Sequence, residues 1–218
     1  MSFTYSGMKT AIQNYMHSSE TTFTNTLDTF IKQAENRIFN TIELNVFRKN
    51  VTGTAASGNP YLSSPSDFVS PLSLAVLNSD SEYTYLLLKH PSFMRNYIKT
   101  AATTGAPKYY GQFDEDTFIL APTPNANLTF ELHYLYQPAS LTAAGDSGTT
   151  WISDNTPDLL LYGSLVEASI FLKQDLNETN MFEQRFQENL VRVTNLMEGR
   201  STRDENRFDK QRGATATQ

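Results

Sequence analysis

The residues of this sequence that could do chemistry are few, and their spacing does not favour it. None of the three histidines, His17, His90 and His133, falls into the HxH or HExxH spacing that brings two imidazoles to one metal ion. Each is expected at the surface or as a helix cap. The chain has no cysteine, which excludes a thiolate nucleophile and any zinc or iron–sulfur site built on cysteine. We therefore predict no metal site.

The acidic residues offer two further candidates. Asp114, Glu115 and Asp116 could form a calcium loop, but the EF-hand spacing with its central glycine and terminal glutamate is missing. Acidic residues also suit the tip of a hairpin, and that interpretation is favoured. Glu167 and Asp175 could act as a glycosidase pair of carboxylates. Since the chain has 23 acidic residues, some pair of this kind is expected by chance, and it does not indicate a glycosidase.

Nucleophile and phosphate motifs are also lacking. Ser164 follows Gly163, but the GxSxG pattern of a nucleophile elbow is not met. Neither GxGxxG nor GxxxxGK[ST] occurs in the chain. A small residue that lets two helices approach closely is the better explanation of Gly163. We predict no catalytic residue and no cofactor, and conclude that the protein is not an enzyme.

Aromatic side chains form one pattern that a ligand could use. Phe130, Tyr134 and Tyr136 alternate along one segment, and Tyr109 and Tyr110 precede it. Such rings can stack on sugars or bases, although alternation is more typical of a sheet core. A β-rich carbohydrate- or receptor-binding module therefore stays open as an alternative function.

Helical spacing marks the beginning of the chain, which we assign to residues 1–44. A short amphipathic segment contains Met8, Ile12 and Met16, and a longer one follows it. Its apolar residues recur every three or four positions and share one face: Phe23, Leu27, Phe30, Ile31, Ala34 and Ile38. Its charged residues are predicted to lie largely on the remaining surface: Glu20, Asp28, Lys32, Glu35 and Arg37. Ser18 and Ser19 are the predicted N-caps of this helix.

Prolines and glycines break residues 45–150 into short, strand-like pieces. Residues 108–113 and 117–121 predict a β-hairpin, and the alternation of residues 128–136 predicts a half-buried strand. Further strands are predicted at 46–51, 68–76 and 83–88, with one short helix from His90 to Ile98.

Helical spacing returns in residues 151–198. Residues 159–172 are apolar almost all round and predict a buried helix. A second helix is predicted from Glu178 to Glu198, with Gly199 as its stop. Residues 199–218 form a polar tail of mixed charge. The predicted fold class is α+β, in which N- and C-terminal helices form a bundle and the β-rich subdomain is inserted between them.

Composition limits the partners. The net charge is −6 at pH 7, and 39% of the residues are hydrophobic. A surface that holds nucleic acid relies on clustered Lys and Arg, so specific DNA binding is not expected. No signal peptide and no membrane-spanning run is visible, which predicts a soluble, acidic protein folded in a cytoplasm without membrane contact.

Several segments, taken in order, resemble phage head-to-tail adaptor proteins, also called connector or neck proteins, of short-tailed and related tailed phages. Residues 26–38 carry the pattern F-I-x-x-A-E-x-R-I and resemble the first long helix of that family. The other matching segments are residues 46–51, 105–110, 117–124, 160–168 and 182–186. The similarity spans residues 8–197 in consistent order.

The resemblance implies a structural virion protein of the neck between capsid portal and tail, assembled in the host cytoplasm. Adaptors form a ring under the portal, commonly of twelve copies, extend the channel through which double-stranded DNA passes, and provide a platform for a downstream tail or nozzle protein. A stopper or tail-tube component of the same neck is the alternative within this class.

The resemblance also points to contact residues. Glu35, Arg37 and Arg185 recur in the matching segments and are expected to make polar contacts between subunits. In related adaptors the C-terminal segment often reaches the portal, so residues 199–218 are the expected docking segment. Its expected portal contacts are Arg200, Arg203, Arg207, Phe208, Lys210 and Arg212.

Overall fold

The computed structural model describes residues 2–42, 46–77, 82–98, 100 and 103–215, with side chains as far as Met197. The chain divides into two compact units. The helical unit comprises Met1–Asn45 and Ala139–Gln218, and the β unit comprises Val46–Pro138. Helices at both termini and sheets in the middle confirm the α+β class. The β unit ends at Pro138, whereas the sequence placed the end of the β-rich region at residue 150.

In its described residues, the helical unit contains five α-helices and a short 3₁₀ helix at Leu141–Ala143. The α-helices are α1 (Tyr5–Met16), α2 (Thr21–Thr41), α4 (Trp151–Asn155), α5 (Pro157–Phe171) and α6 (Leu176–Thr215). Helix α5 packs against α1, α2 and α6, and its buried residues confirm the apolar helix predicted there. Among the described residues, no helix is both long and apolar enough to cross a membrane.

The start of α2 differs from the sequence prediction. Glu20, not Ser18 or Ser19, is the N-cap, and its side chain makes no capping hydrogen bond. The N–H of Ser18 donates to the carbonyl of Gln13 and thereby closes the end of α1. Because this serine belongs to the end of the preceding helix, α2 begins only after Glu20.

Helix α6 continues past its predicted stop. The sequence predicted that this helix ends at Glu198, with Gly199 as the stop, but its backbone remains helical to Thr215. A single glycine inside a helix costs about 1 kcal/mol relative to alanine. The Arg, Glu, Gln and Lys residues that follow are good helix formers, and they compensate for that cost. The predicted polar tail is therefore mostly helix.

Over the residues that the structure describes, the β unit has two four-stranded sheets and one helix, α3 (Pro91–Tyr97). The first sheet has the order β1-β10-β3-β4, with β1 at Arg48–Ala55, β10 at Leu128–Tyr136, β3 at Phe68–Leu77 and β4 at Tyr83–Tyr85. The second has the order β2-β8-β7-β5, with β2 at Tyr61–Ser63, β8 at Thr117–Ala121, β7 at Tyr109–Gln112 and β5 at Leu87–Leu88. Two short strands, β6 (Thr104–Gly105) and β9 (Thr123–Pro124), pair with each other.

One hydrophobic core unites the two large sheets. Leu74, Phe118, Leu120 and Phe130 are almost fully buried in it, and their side chains come from both sheets. The β7–β8 hairpin and strands β3 and β10 confirm the sequence predictions. The predicted strand at 83–88 is split, because β4 belongs to the first sheet and β5 pairs in parallel with β7 in the second.

Candidate subunit and partner interface

Glu35 lies inside the helical unit, not on its surface. Its side chain is only 4% exposed, which corrects the prediction that it belongs to the polar face of α2. Its Oε1 accepts a hydrogen bond from the N–H of Leu141 at 2.9 Å, and Ser140 also hydrogen-bonds the carboxylate. Burial raises the pKa of this carboxyl, although both hydrogen bonds oppose the shift. Glu35 thus fixes the start of the 3₁₀ helix against α2.

Arg37 is paired within the chain as well. Its guanidinium makes two hydrogen bonds to the carboxylate of Glu183 on α6, at 2.8 and 2.5 Å. It also lies over the ring of Phe186, 4.3 Å from the centroid. The hydrogen bonds from Arg37 lower the pKa of Glu183. Since a bidentate pair of this kind has directional geometry, Arg37 joins α2 to α6.

Arg185 is the most accessible of the three predicted contact residues whose side chains the structure describes. Its side chain is 61% exposed and makes a 3.5 Å ion pair with Glu188, three residues along α6. An exposed pair of this kind contributes little to stability, so the guanidinium can exchange its partner. The predicted contacts from Arg200 to Arg212 lie on the helical extension of α6, and their side chains are outside the described residues. A role of any of these residues between subunits stays a prediction.

The histidines and acidic residues have ordinary structural roles. His17 ends α1 in the left-handed conformation, and the Nδ1 of His90 caps α3 by accepting from the N–H of Ser92. His133 is half-buried on β10. Asp114 accepts from the N–H of Asp116 at the tip of the β7–β8 hairpin, as predicted for that segment. Asp175 accepts from the N–H of Asn177 at the start of α6.

Ser164 is buried, and its Oγ donates to the carbonyl of Leu160 one turn earlier on α5, so it is not placed as a nucleophile. A Cβ added at Gly163 would lie 3.0 Å from the Cβ of Ala34 and 3.0 Å from the Phe186 ring. This close approach of α2, α5 and α6 confirms the explanation given for Gly163. Among the residues that the structure describes, no group of His, Asp and Glu could hold a metal ion.

The predicted aromatic stripe is mostly core. Tyr110, Phe130 and Tyr134 are buried, and Tyr109 and Tyr136 are half-buried. Burial, with a hydrogen bond to Asp67, raises the pKa of Tyr134 to about 12. The five rings therefore do not form an exposed stacking platform, because three of them face the interior.

A different set of apolar side chains is exposed on the β unit. They share one stretch of chain that covers β4, β5 and α3: Tyr83, Tyr85, Leu87, Leu88, Phe93 and Tyr97. Phe93, Tyr97 and Tyr109 contact one another, with ring centroids 5.0–5.9 Å apart. We name the six exposed residues from Tyr83 to Tyr97 the 83–97 surface. Sequence reasoning missed it, although the run from Tyr83 to Leu88, which only Thr84 interrupts, was a signal that these apolar residues exceed what one edge strand can bury.

Comparison with known families gives one result. A family profile described as SU10 adaptor protein matches residues 3–213 of this chain. No curated protein matches it. The match spans both units and confirms the resemblance to phage head-to-tail adaptors, whose role is structural and not enzymatic. The chain belongs to the SU10 adaptor protein family.

Proposed function

We propose that this protein is a head-to-tail adaptor that assembles as a ring of twelve copies under the capsid portal. In this role it extends the channel for DNA and offers a platform to a downstream tail or nozzle protein. The family match over residues 3–213 is the observation that carries the proposal. A ring needs two different surfaces on each copy, because each subunit presents one patch to the next subunit and another to the previous one.

Residues 199–218 are the proposed portal-docking segment. The side chains that seat α6 on its own unit are Phe182, Phe186, Leu190, Val193 and Met197, all of them buried. The backbone of α6 continues as helix to Thr215, and at 1.5 Å per residue the stretch from residue 199 to 215 adds about 26 Å. An extension of that length reaches well beyond the part of α6 that packs against α5.

A pair of truncations tests the docking segment. Removal of residues 199–218 is expected to abolish co-sedimentation with the portal. The truncated protein should keep its melting temperature and the helical circular dichroism of the remaining helices. The matched control removes only residues 214–218, which lie beyond the family match, and should bind as the full chain does. Undiminished binding by the longer truncation would refute this segment as the portal contact.

The charge of the chain supports passage of DNA without specific binding. With a net charge of −6, the protein repels phosphate on average. A basic channel would hold the duplex by counterion release. We therefore expect no retention of linear duplex DNA by the assembled ring at physiological salt, measured by electrophoretic mobility.

Electron microscopy of the protein alone and mixed with its phage portal tests the function directly. Added ring density at one end of the portal is the expected result, and the symmetry of that density gives the copy number. A bare portal beside free protein would instead favour a stopper or tail-tube component of the same neck. The carbohydrate-binding alternative loses its predicted site, because Tyr110 and Tyr134 are buried, and a glycan array should show no binding.

A further inference from the structure

The first sheet of the β unit has two outer strands that differ in character. Its order is β1-β10-β3-β4, and each neighbouring pair is antiparallel. With four alternating strands, β1 and β4 run in opposite directions. In the part of the chain that the structure describes, neither strand has a second neighbour in this sheet. Unpaired edges of this kind are templates for a further strand.

The outer edge of β1 is long and accessible. All seven residues from Arg48 to Thr54 are exposed. The N–H of Tyr136 donates to the carbonyl of Phe47 at 2.9 Å, which marks this opposed pair as hydrogen-bonded. Because hydrogen-bonded and non-hydrogen-bonded pairs alternate along an antiparallel ladder, the backbone groups of Thr52 and Thr54 point away from β10 to the free edge.

The outer edge of β4 is short and aromatic. The N–H of Leu86 donates to the carbonyl of Leu74 at 2.8 Å, so by the same alternation the backbone groups of Tyr83 and Tyr85 point away from β3. These two tyrosines are 51% and 66% exposed. Large apolar side chains beside an open ladder are characteristic of an interaction surface and not of a solvated edge.

We propose that β4 of one copy pairs with β1 of the next copy, so that the first sheet continues from subunit to subunit. This inference rests on the proposed ring and adds the contact that builds it. The two edges match in direction, since two copies related by rotation about the ring axis bring oppositely running strands together. They also match in hydrogen-bonding phase. The expected pairs are Tyr83 with Thr54 and Tyr85 with Thr52, which are aromatic and β-branched pairs of the kind that stabilises a sheet.

A second copy explains both edges with one contact. In a closed ring every β1 and every β4 is covered, whereas a foreign strand would cover one edge and leave the other open. Natural sheets blunt a free edge with charge or proline. Residues 50–55 of β1, Asn-Val-Thr-Gly-Thr-Ala, contain neither, and its two basic residues lie at the start of the strand. The edge therefore lacks the usual protection where the pairing is expected.

Engineered disulfides test the pairing, and the cysteine-free chain provides a clean background. Opposed residues of a hydrogen-bonded pair have Cα atoms about 5.5 Å apart, which is the distance a disulfide favours. In the assembled ring, the double variant Thr52→Cys with Tyr85→Cys should give a ladder of cross-linked multimers after mild oxidation. The double variant Thr52→Cys with Val69→Cys is the control, because Val69 is exposed on the inner strand β3, and it should stay monomeric on denaturing gels.

The outcomes separate the pairing from the proposed function. Rings on the portal without a ladder, for this pair and for Thr54→Cys with Tyr83→Cys, would overturn the pairing and leave the adaptor role standing. Absence of rings in the unmodified protein would instead refute the adaptor role. A covalent dimer from Thr52→Cys alone would also overturn the pairing, because it shows β1 edges meeting across a twofold axis.

A proline variant gives a second test that does not depend on cysteine geometry. Thr52→Pro removes an N–H that points to the free edge, and prolines are accepted at such positions of edge strands. The variant is expected to keep its circular dichroism spectrum but to lose ring formation. Thr52→Val retains the N–H and should form rings. Ring formation by a folded Thr52→Pro variant would contradict the pairing.

Discussion

The helical unit and the β unit differ in which groups have partners inside the chain and which stay exposed. In the helical unit, the two functional candidates on α2 have partners within the chain, Glu35 with Leu141 and Arg37 with Glu183. In the β unit, two outer strands end the first sheet, and the 83–97 surface exposes aromatic and leucine side chains. Groups that are satisfied internally stabilise a subunit, whereas open edges and exposed rings are available to a neighbour. We therefore expect these polar contacts to stabilise the helical unit, and the open edges of the β unit to contact neighbouring copies.

The largest expected effect comes from Phe186, which is fully buried where α6 meets the other helices. Phe186→Ala removes the ring beneath Arg37 and leaves a cavity, so it should lower the free energy of unfolding of the helical unit by about 3–5 kcal/mol. Urea denaturation followed by far-ultraviolet circular dichroism measures the change.

Val191→Ala is the control on the same helix, since Val191 is 57% exposed and surface substitutions stay within about 0.5 kcal/mol. The β unit has its own core, and its tyrosine fluorescence should therefore report an unchanged transition in Phe186→Ala. A shift of both transitions together would show that the two units unfold as one, and would contradict separate cores.

The next effect is expected at Gly163, where α5 lies closest to its neighbours. Gly163→Val places atoms where a Cβ alone would be 3.0 Å from Ala34 and Phe186. Overpacking of this kind costs about 1–3 kcal/mol, measured by the same denaturation. Thr29→Val, at an exposed position of α2, should be nearly neutral. An unchanged Gly163→Val variant would mean that the helices can separate without loss, contrary to a closely packed unit.

Glu35 gives a pH-dependent prediction for the helical unit. Burial raises the pKa of its carboxyl in the folded state, so the folded state binds this proton more tightly than the unfolded state. The helical unit should therefore lose stability, relative to Glu35→Gln, as the pH rises through the folded pKa of Glu35. Denaturation of both proteins across that range, with the difference taken at each pH, isolates this group because Glu183 is present in both.

Glu35→Ala completes that experiment. It leaves the N–H of Leu141 without its acceptor, which costs about 1–3 kcal/mol, whereas Glu35→Gln keeps an oxygen in the same place. A difference between wild type and Glu35→Gln that does not change with pH would show that this carboxyl has the same pKa in the folded and unfolded states, contrary to the shift expected from burial.

Sequence periodicity predicted the elements whose residues repeat over several turns or alternations. The spacing from Phe23 to Ile38 gave α2, and the alternation from Leu128 to Tyr136 gave β10 with its observed bounds. The two-residue strands β5, β6 and β9 have no room for an alternating pattern. Their pairing depends on partners distant in sequence, as in the parallel pairing of Leu87 with Tyr109. Strand β5 therefore lay inside the predicted strand at 83–88 without its own partner, and β6 and β9 were not predicted as separate strands.

The candidate interface was harder to predict, because burial of a polar residue depends on what folds over it. Glu35 occupies a position that α2 alone would leave at the surface, and in the folded unit its carboxylate is buried and hydrogen-bonded to Ser140 and Leu141. The tyrosines show the converse. Tyr134 and Tyr85 are of one residue type, yet the first is in the core and the second at an edge, since strand order decides which ring is covered.

The smallest effect is expected in the β unit, at Tyr134. Its hydroxyl donates to Asp67 at 2.9 Å, and Lys49 forms an ion pair with the same carboxylate at 2.5 Å. Tyr134→Phe removes one hydrogen bond and keeps the ring, so the β unit should lose about 1 kcal/mol. Tyr85→Phe, at the exposed edge, is the control and should leave stability unchanged.

The pH dependence at Asp67 has the opposite sign to that at Glu35. Lys49 chiefly, and then Tyr134, hold the pKa of Asp67 below its usual value, so the stability from this carboxylate is present above the unfolded pKa and is lost as the pH falls through the folded pKa. The loss of unfolding free energy caused by Tyr134→Phe should therefore become smaller as the pH falls. In the helical unit, wild type should become more stable relative to Glu35→Gln over the same pH change. Denaturation of both variants through that acid range measures the two slopes. Equal signs would show that carboxylate burial does not distinguish the two units, and the contrast between them would then rest on the open sheet edges alone.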